Sequence, residues 1–278
     1  MAATKGRQRN SRRRVTAARA QARGEPARQV RVEKCDWLDG AGRLGPRSID
    51  LLYADPPFNT GLARVGPNGH FADRWEDPRS HLHWLQERIA ATLPALKPTG
   101  SILLHVDWRT SHRVRLILDE MLGSDRFVNH LVWVYGLGGS SPRRFARKHD
   151  DILFYAVDPE RYWFCAPRVP ATSRRMSGRL KKSTDVLSIP SINNMAHERA
   201  GWPTQKPEAL LEVLIGACCP PAGIVLDPCC GSGTTLVAAL RLGRQSIGFD
   251  TSARAVGISR ERVRRESRRF LAAGTADG

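Results

Sequence analysis

Acidic residues are scarce in this chain. Its 278 residues carry 27 Asp+Glu against 44 Lys+Arg, for a formal net charge of +17 and a sequence pI near 10.6. A field of that sign attracts polyanions, and duplex DNA is the densest common one. An arginine-rich proteome gives the same balance without such a partner. No apolar run approaches a membrane span or a secretory leader, so neither is expected. Cys35, Cys165, Cys218, Cys219, Cys229 and Cys230 include no Cys-x-x-Cys, and adjacent pairs cannot converge on a tetrahedral ion. Reduced, mostly buried thiols of an intracellular protein, and no metal, are the expectation. Internal repeats are lacking, and no Ser-His-Asp arrangement stands out. His70 and His149 have no partner at metal-ligand spacing.

Residues 1–29 are poor in large apolar side chains and basic from Lys5 to Arg28, with Glu25 the sole acid. Such a stretch cannot offset the entropy of ordering and reads as a disordered tail. It could grip phosphates, act as a solubilising arm, or serve as an organelle transit peptide; the sequence leaves all three open. Beyond it, strands and helices alternate. Ile49 to Ala54 reads as a buried strand, His81 to Leu96 as a helix, and Ser101 to Val106 as a strand. A helix through Val114 to Met121 precedes strands at Val128 to Val134 and Asp151 to Val157. That rhythm predicts an α/β fold around a mostly parallel sheet with helices on both faces. It fails over 158–202, a basic, proline-containing stretch that reads as a small lobe or long loops. It resumes with a helix over Pro207 to Ala217, a strand to Leu226, a helix from Thr234 and a strand ending at Asp250. The expected organisation is therefore a catalytic half over 30–157, a recognition segment over 158–202, a cofactor half over 203–265 and a tail over 266–278.

Two loops carry chemistry. Asp227-Pro228-Cys229-Cys230-Gly231-Ser232-Gly233-Thr234-Thr235 follows a strand and opens a helix, with glycines that let backbone approach a ligand. Asp250, ending the next strand, suits the two hydroxyls of a ribose. The loop lacks the dinucleotide spacing and the Gly-Lys-Ser/Thr end of a phosphate loop. An acid at its start repels phosphate and suits an ammonium, as in a nucleoside joined to an amino acid. Read alone, it is also an ordinary tight turn. The second loop, Asp55-Pro56-Pro57-Phe58, ends a strand where ligands of doubly wound sheets bind. Asp55 and the Pro56 carbonyl can each accept an N–H from an exocyclic amine, freeing its delocalised lone pair for attack. Pro57 stiffens the loop, and Phe58 offers a flat face to a flipped base. By itself the tetrapeptide is equally a stiff turn with a core phenylalanine. His105, Asp107 and Trp108 close a strand, where a polar end is common with or without a site.

Taken with Ser48 to Tyr53, Leu96 to Ser101, Arg143 to Asp150 and Trp202 to Pro207, the two loops resemble the beta-type amino-methylating DNA methyltransferases. In that family the Asp-Pro-Pro-Phe loop precedes the cofactor loop. The resemblance spans about Arg31 to Val263. It implies a Rossmann-like methyltransferase fold and S-adenosylmethionine as cofactor, bound by Asp227, Cys229, Gly231, Gly233, Thr234 and Asp250. Asp36 would contact the cofactor's adenine, although Cys35 stands where glycine is usual; Thr204 and Lys206 would close over its methionine end. Cys229 stands where phenylalanine is usual. It also implies double-stranded DNA as substrate, held by Arg143, Arg144, Arg147, Lys148, Arg174, Arg175, Arg179, Lys181 and Lys182. Each of those cations is individually an ordinary solvated charge. Asp55 favours adenine N6 over cytosine N4 as the target. A homodimer, a cognate restriction endonuclease and a cytoplasmic, nucleoid-associated setting complete the expectation. Methylation of RNA or of a protein glutamine, and a non-catalytic DNA-binding relative, remain alternatives.

Overall fold

The computed structural model describes residues 29–136, 140–170, 178–193 and 195–276. The expected tail lies outside these apart from Gln29, as do Arg174 and Arg175. In chain order the elements are β1 (Val30–Lys34), α1 (Trp37–Ala41), β2 (Ile49–Ala54), β3 (Leu62–Gly66), β4 (Gly69–Asp73), α2 (Pro78–Thr92), β5 (Leu96–Val106), α3 (Ser111–Leu122), β6 (Phe127–Val134) and β7 (His149–Ala156). Three short strands follow, β8 (Arg168–Pro170), β9 (Leu180–Lys182) and β10 (Val186–Ser188). Then come α4 (Glu208–Cys218), β11 (Ile224–Asp227), α5 (Thr234–Arg241), β12 (Gln245–Asp250) and α6 (Ala253–Ala276).

Eight strands form one sheet in the order β1-β12-β11-β2-β5-β7-β6-β10. Only β7 runs antiparallel to its neighbours β5 and β6. β2 is buried over its whole length, as a central parallel strand covered on both faces must be. Its side chains alternate: Leu52 and Ala54 pack with Leu85 and Ile89 of α2 and with Val114 and Leu118 of α3. Leu51 and Tyr53 pack on the other face with Leu210, Leu211 and Leu214 of α4. Each such side chain contributes roughly 1.5–3 kcal/mol relative to exposure. Asp50, buried within β2, is neutralised by the Lys97 ammonium at 2.7 Å and also accepts the Ile224 N–H at 2.8 Å. That second bond ties β2 to β11 and sets their ends side by side.

Several boundaries differ from the sequence reading. α2 starts earlier, because Asp77 caps it by accepting the Arg79 and Ser80 N–H groups and Pro78 takes the first turn. It stops at Thr92 before Pro94, and β5 begins at Leu96 with an irregular register against β2. The segment 158–202 is less separate than expected. β10 joins the main sheet beside β6 with Leu187 buried, and only β8 and β9 form a hairpin of their own. The expected C-terminal tail is mostly helix, since α6 runs to Ala276 and its Glu266 is bound by Arg241. β1, α1 and the β3–β4 hairpin carry no strong signal in the sequence. Among the described residues no helix is long and apolar enough to cross a membrane.

Candidate active site

β2 and β11 are parallel neighbours, so their C-terminal ends deliver Asp55 and Asp227 to the same edge of the sheet. A cavity of about 860 Å³ opens there. It is lined by all of Asp55 to Phe58, and by Asp227, Cys229, Gly231, Thr234 and Asp250. Asp36, Thr204, Lys206, Arg144 and Arg147 reach the same cavity. The two loops, far apart along the chain, thus share one chamber. Gly233 is not among its lining residues; its N–H donates to the Cys230 carbonyl at 2.7 Å and shapes the turn.

The glycine loop is built for close approach. Gly231 and Gly233 have φ of 51° and 77°, conformations that favour glycine. A Cβ on Gly233 would fall 2.7 Å from Ser259 Oγ, and one on Gly231 would fall 3.0 Å from Trp202 Nε1. Ser259 donates to the Gly231 carbonyl, and Arg262 donates to the Ser232 carbonyl and Thr234 Oγ1, so α6 locks the loop from behind. The Asp250 carboxylate accepts the Gly231 N–H at 2.9 Å and the Ser252 N–H at 2.8 Å.

Asp227 is almost wholly buried, and that burial pushes its carboxyl up to about 7. Bonds from the Thr235 side chain and the Cys229 N–H pull it down, while Asp55 and Asp250 push it further up. Burial raises Asp250 as well. Carboxyl groups crowded in a partly dry cavity favour a cationic ligand and disfavour a phosphate. The cavity and its donor set therefore fit a nucleoside carrying a positively charged amino-acid arm.

Lys206 is where the sequence was least informative. Rather than a surface lysine it is buried, and its ammonium lies 2.5 Å from Asp55 Oδ2 and 5.2 Å from the Phe58 ring centroid. Thr204, two residues earlier, holds a φ of 61° that costs a β-branched side chain of order 1 kcal/mol. Asp36 caps α1, and both its oxygens receive Arg88 Nη2, at 2.9 and 3.0 Å. Its carboxylate is thus already engaged, with the Trp37 and Trp84 rings beside it on the cavity wall.

Behind Phe58 runs a buried polar chain of which the sequence singled out only His105. His105 stacks on Phe58 at 5.8 Å between ring centroids and 26° between planes. Its Nδ1 lies 3.0 Å from the Tyr53 hydroxyl and its Nε2 lies 3.3 Å from Asp150 Oδ2. A neutral imidazole protonated on Nε2 satisfies both, with Tyr53 donating. Burial holds the Tyr53 hydroxyl well above its ordinary range and so keeps it a donor. Tyr135 also donates to Asp150, and Trp133 packs edge-on against His105. His105 had a signal as a polar strand end. Trp133 and Tyr135 had none, because nothing in an ordinary strand pattern marks a cavity wall.

The proposed DNA-facing cations are dispersed. Arg144 and Arg147 line the cavity, and Arg147 lies 3.4 Å over the Trp108 ring. Arg143 is exposed beside them. Arg179, Lys181 and Lys182 lie on or next to β9, away from the cavity lining.

A mostly parallel sheet with a nucleoside-sized acidic chamber at its carboxyl edge, and an Asp-Pro-Pro-Phe loop within it, defines a group-transfer enzyme of the Rossmann-like class. Residues 49–261 match the DNA methylase family. The type II methyltransferase M.HpaI of Haemophilus parainfluenzae is 32% identical over 233 residues, covering 82% of this chain and 72% of that protein. The type II methyltransferase M.ScaI of Streptomyces caespitosus is 33% identical, covering 77% of this chain and 75% of that one. The DNA adenine methyltransferase YhdJ of Escherichia coli K12 is 27% identical over 82% of this chain and 80% of its own length. Among solved structures, the PvuII cytosine-N4-specific DNA methyltransferase shares the fold with a TM-score of 0.66 at 16% identity, covering 84% of this chain and 86% of that one. The chain belongs to the DNA methylase family, the amino-methylating DNA methyltransferases.

Proposed function

We propose that this enzyme transfers a methyl group from S-adenosylmethionine to the N6 amine of an adenine withdrawn from duplex DNA. The observation that carries the reading is the meeting of Asp55 and Asp227 in one chamber. When bound, S-adenosylmethionine supplies an electrophilic methyl on a positively charged sulfur. Asp227, Asp250 and the Gly231–Gly233 backbone hold it, with Asp36, Thr204, Cys229 and Thr234 around it. Phe58, backed by His105, stacks the base, and Asp55 Oδ1 and the Pro56 carbonyl accept the two amine N–H groups. With both N–H groups so held, the amine would present its lone pair to the methyl that the cofactor would supply, and the proton it gives up would leave by way of Asp55 Oδ1 to solvent. Lys206 holds Asp55 Oδ2 and leaves Oδ1 to the amine.

Asp55 supports adenine, and the family's usual pairing of aspartate with N6 is the ground for that choice. The relatives carry both bases in their names, so cytosine N4 is the second reading. The type II designation of two relatives supports a place in a restriction–modification pair, with a cognate endonuclease as partner and the nucleoid as the setting. A second copy of the chain is the other expected partner, by analogy with similar enzymes. DNA from a host expressing the protein, digested to nucleosides, should contain N6-methyladenine; N4-methylcytosine would transfer the reading to the other base. Asp55→Ala should bind cofactor normally and lose at least ~10²-fold in methyl transfer. Full activity in that variant would refute the assigned role.

A further inference from the structure

The phenyl ring of Phe145 is 98% exposed, more than any other large hydrophobic side chain among the described residues. A lone exposed apolar residue is unremarkable on a protein surface. This one sits in an unusual setting. It lies within Arg143-Arg144-Phe145-Ala146-Arg147-Lys148, so cations flank it on both sides. Arg144 and Arg147 line the chamber that holds Asp55, while the ring between them faces solvent. The segment is pinned in two places. The Arg147 guanidinium stacks on Trp108, and β7 begins at His149 and carries Asp150 into the chamber wall. An exposed apolar ring thus stands between two cations that line the chamber, within a patch that attracts phosphates.

Withdrawing a base into that chamber leaves a gap in the stack, whose closure opposes the withdrawal. DNA-binding proteins that grip the duplex with arginines often insert an apolar side chain, phenylalanine among them, between base steps, and the same kind of side chain can occupy a gap in the stack. We propose that Phe145 is the wedge that enters the duplex as the target base leaves and holds the gap open. Resting on the DNA-methylation reading above, this inference adds the residue that couples DNA docking to base withdrawal. Arg143 and Arg144 on one side and Arg147 on the other supply the phosphate contacts that bring the ring to the stack.

The test compares Phe145→Ala, Phe145→Leu and wild type on two duplexes of the methylated sequence. One carries a normal pair at the target, and the other an abasic site opposite it. In the second duplex the base is already unpaired and leaves at lower cost. On the paired duplex, Phe145→Ala should lose about tenfold or more in kcat/KM, the scale of one lost aromatic–base stack. It should lose little on the abasic duplex, and leucine should rescue part of the loss. With 2-aminopurine at the target position, the fluorescence rise on binding should be weaker in Phe145→Ala. Equal losses on both duplexes, with unchanged melting of the protein, would reduce Phe145 to a general DNA contact and overturn the wedge. So would full activity on the paired duplex. Absence of methylation by wild type on either duplex would instead overturn the underlying reading, and the wedge with it.

Discussion

Replacing Asp227 by asparagine isolates the strongest electrostatic feature of the chamber. Burial lifts this carboxyl to about 7, against an ordinary aspartate value of about 4, and each pH unit is worth about 1.4 kcal/mol. Ionising Asp227 among these protein groups alone therefore costs about 4 kcal/mol more than in water. The folded state holds this proton more tightly than the unfolded chain does. Its contribution to stability is thus complete below the ordinary carboxylate range and is lost as pH rises through about 7. A ligand carrying an ammonium needs the ionised form, so its affinity must follow the opposite course. Between pH 5.5 and 7 the ionised fraction rises from about 3% to about 50%, while the ligand's own amine, titrating near 8, stays charged. The dissociation constant for S-adenosylmethionine, measured by calorimetry, should tighten about fifteenfold across that window. Asp227→Asn should bind more weakly and with a flatter profile, any remaining slope belonging to Asp250, which burial also raises. Parallel profiles for wild type and variant would refute the reasoning.

Three further expectations follow from the geometry. Lys206→Met strands the half-buried Asp55 carboxylate and should lower stability by about 2–3 kcal/mol, or roughly 5–10 °C in melting temperature. The double variant with Asp55→Asn should lose less than the sum of the single losses, and strict additivity would deny the pair any coupling. Gly233→Ala forces a left-handed alanine against Ser259 and should cost about 2 kcal/mol or more; an unchanged melting curve would remove the packing argument. Arg179→Ala with Lys182→Ala should flatten the salt dependence of DNA binding by nearly two in log–log slope if both meet phosphates. An unchanged slope would take β9 out of the DNA interface.

Much of the central sheet could be read from local chemistry. The mostly apolar run before Asp55, the glycines before Thr234 and Asp250 at the end of its strand mark the termini of β2, β11 and β12. Capping shifted α2 by a few residues, because Asp77 and Pro78 define its start more firmly than the apolar spacing does. The β3–β4 hairpin escaped notice because its residues alternate weakly and most of β3 is exposed. β10 escaped because three residues carry too little pattern, and only pairing with β6 makes them a strand.

The sequence by itself set out the candidate groups, since Asp55-Pro56-Pro57-Phe58 and the Asp227–Gly233 loop offer a carboxylate beside a stiff proline pair and a glycine turn in residue type and spacing. It could not determine that the two share a chamber, because that depends on β2 and β11 lying side by side. Nor could it place Lys206 on Asp55, His105 behind Phe58, or the carboxyl of Asp227 near neutrality. Each depends on what is buried beside what, and burial is a property of the packed sheet that no stretch of sequence contains. Tertiary structure therefore decided which side chains meet and how strongly their charges are felt, within a chemistry already written along the chain.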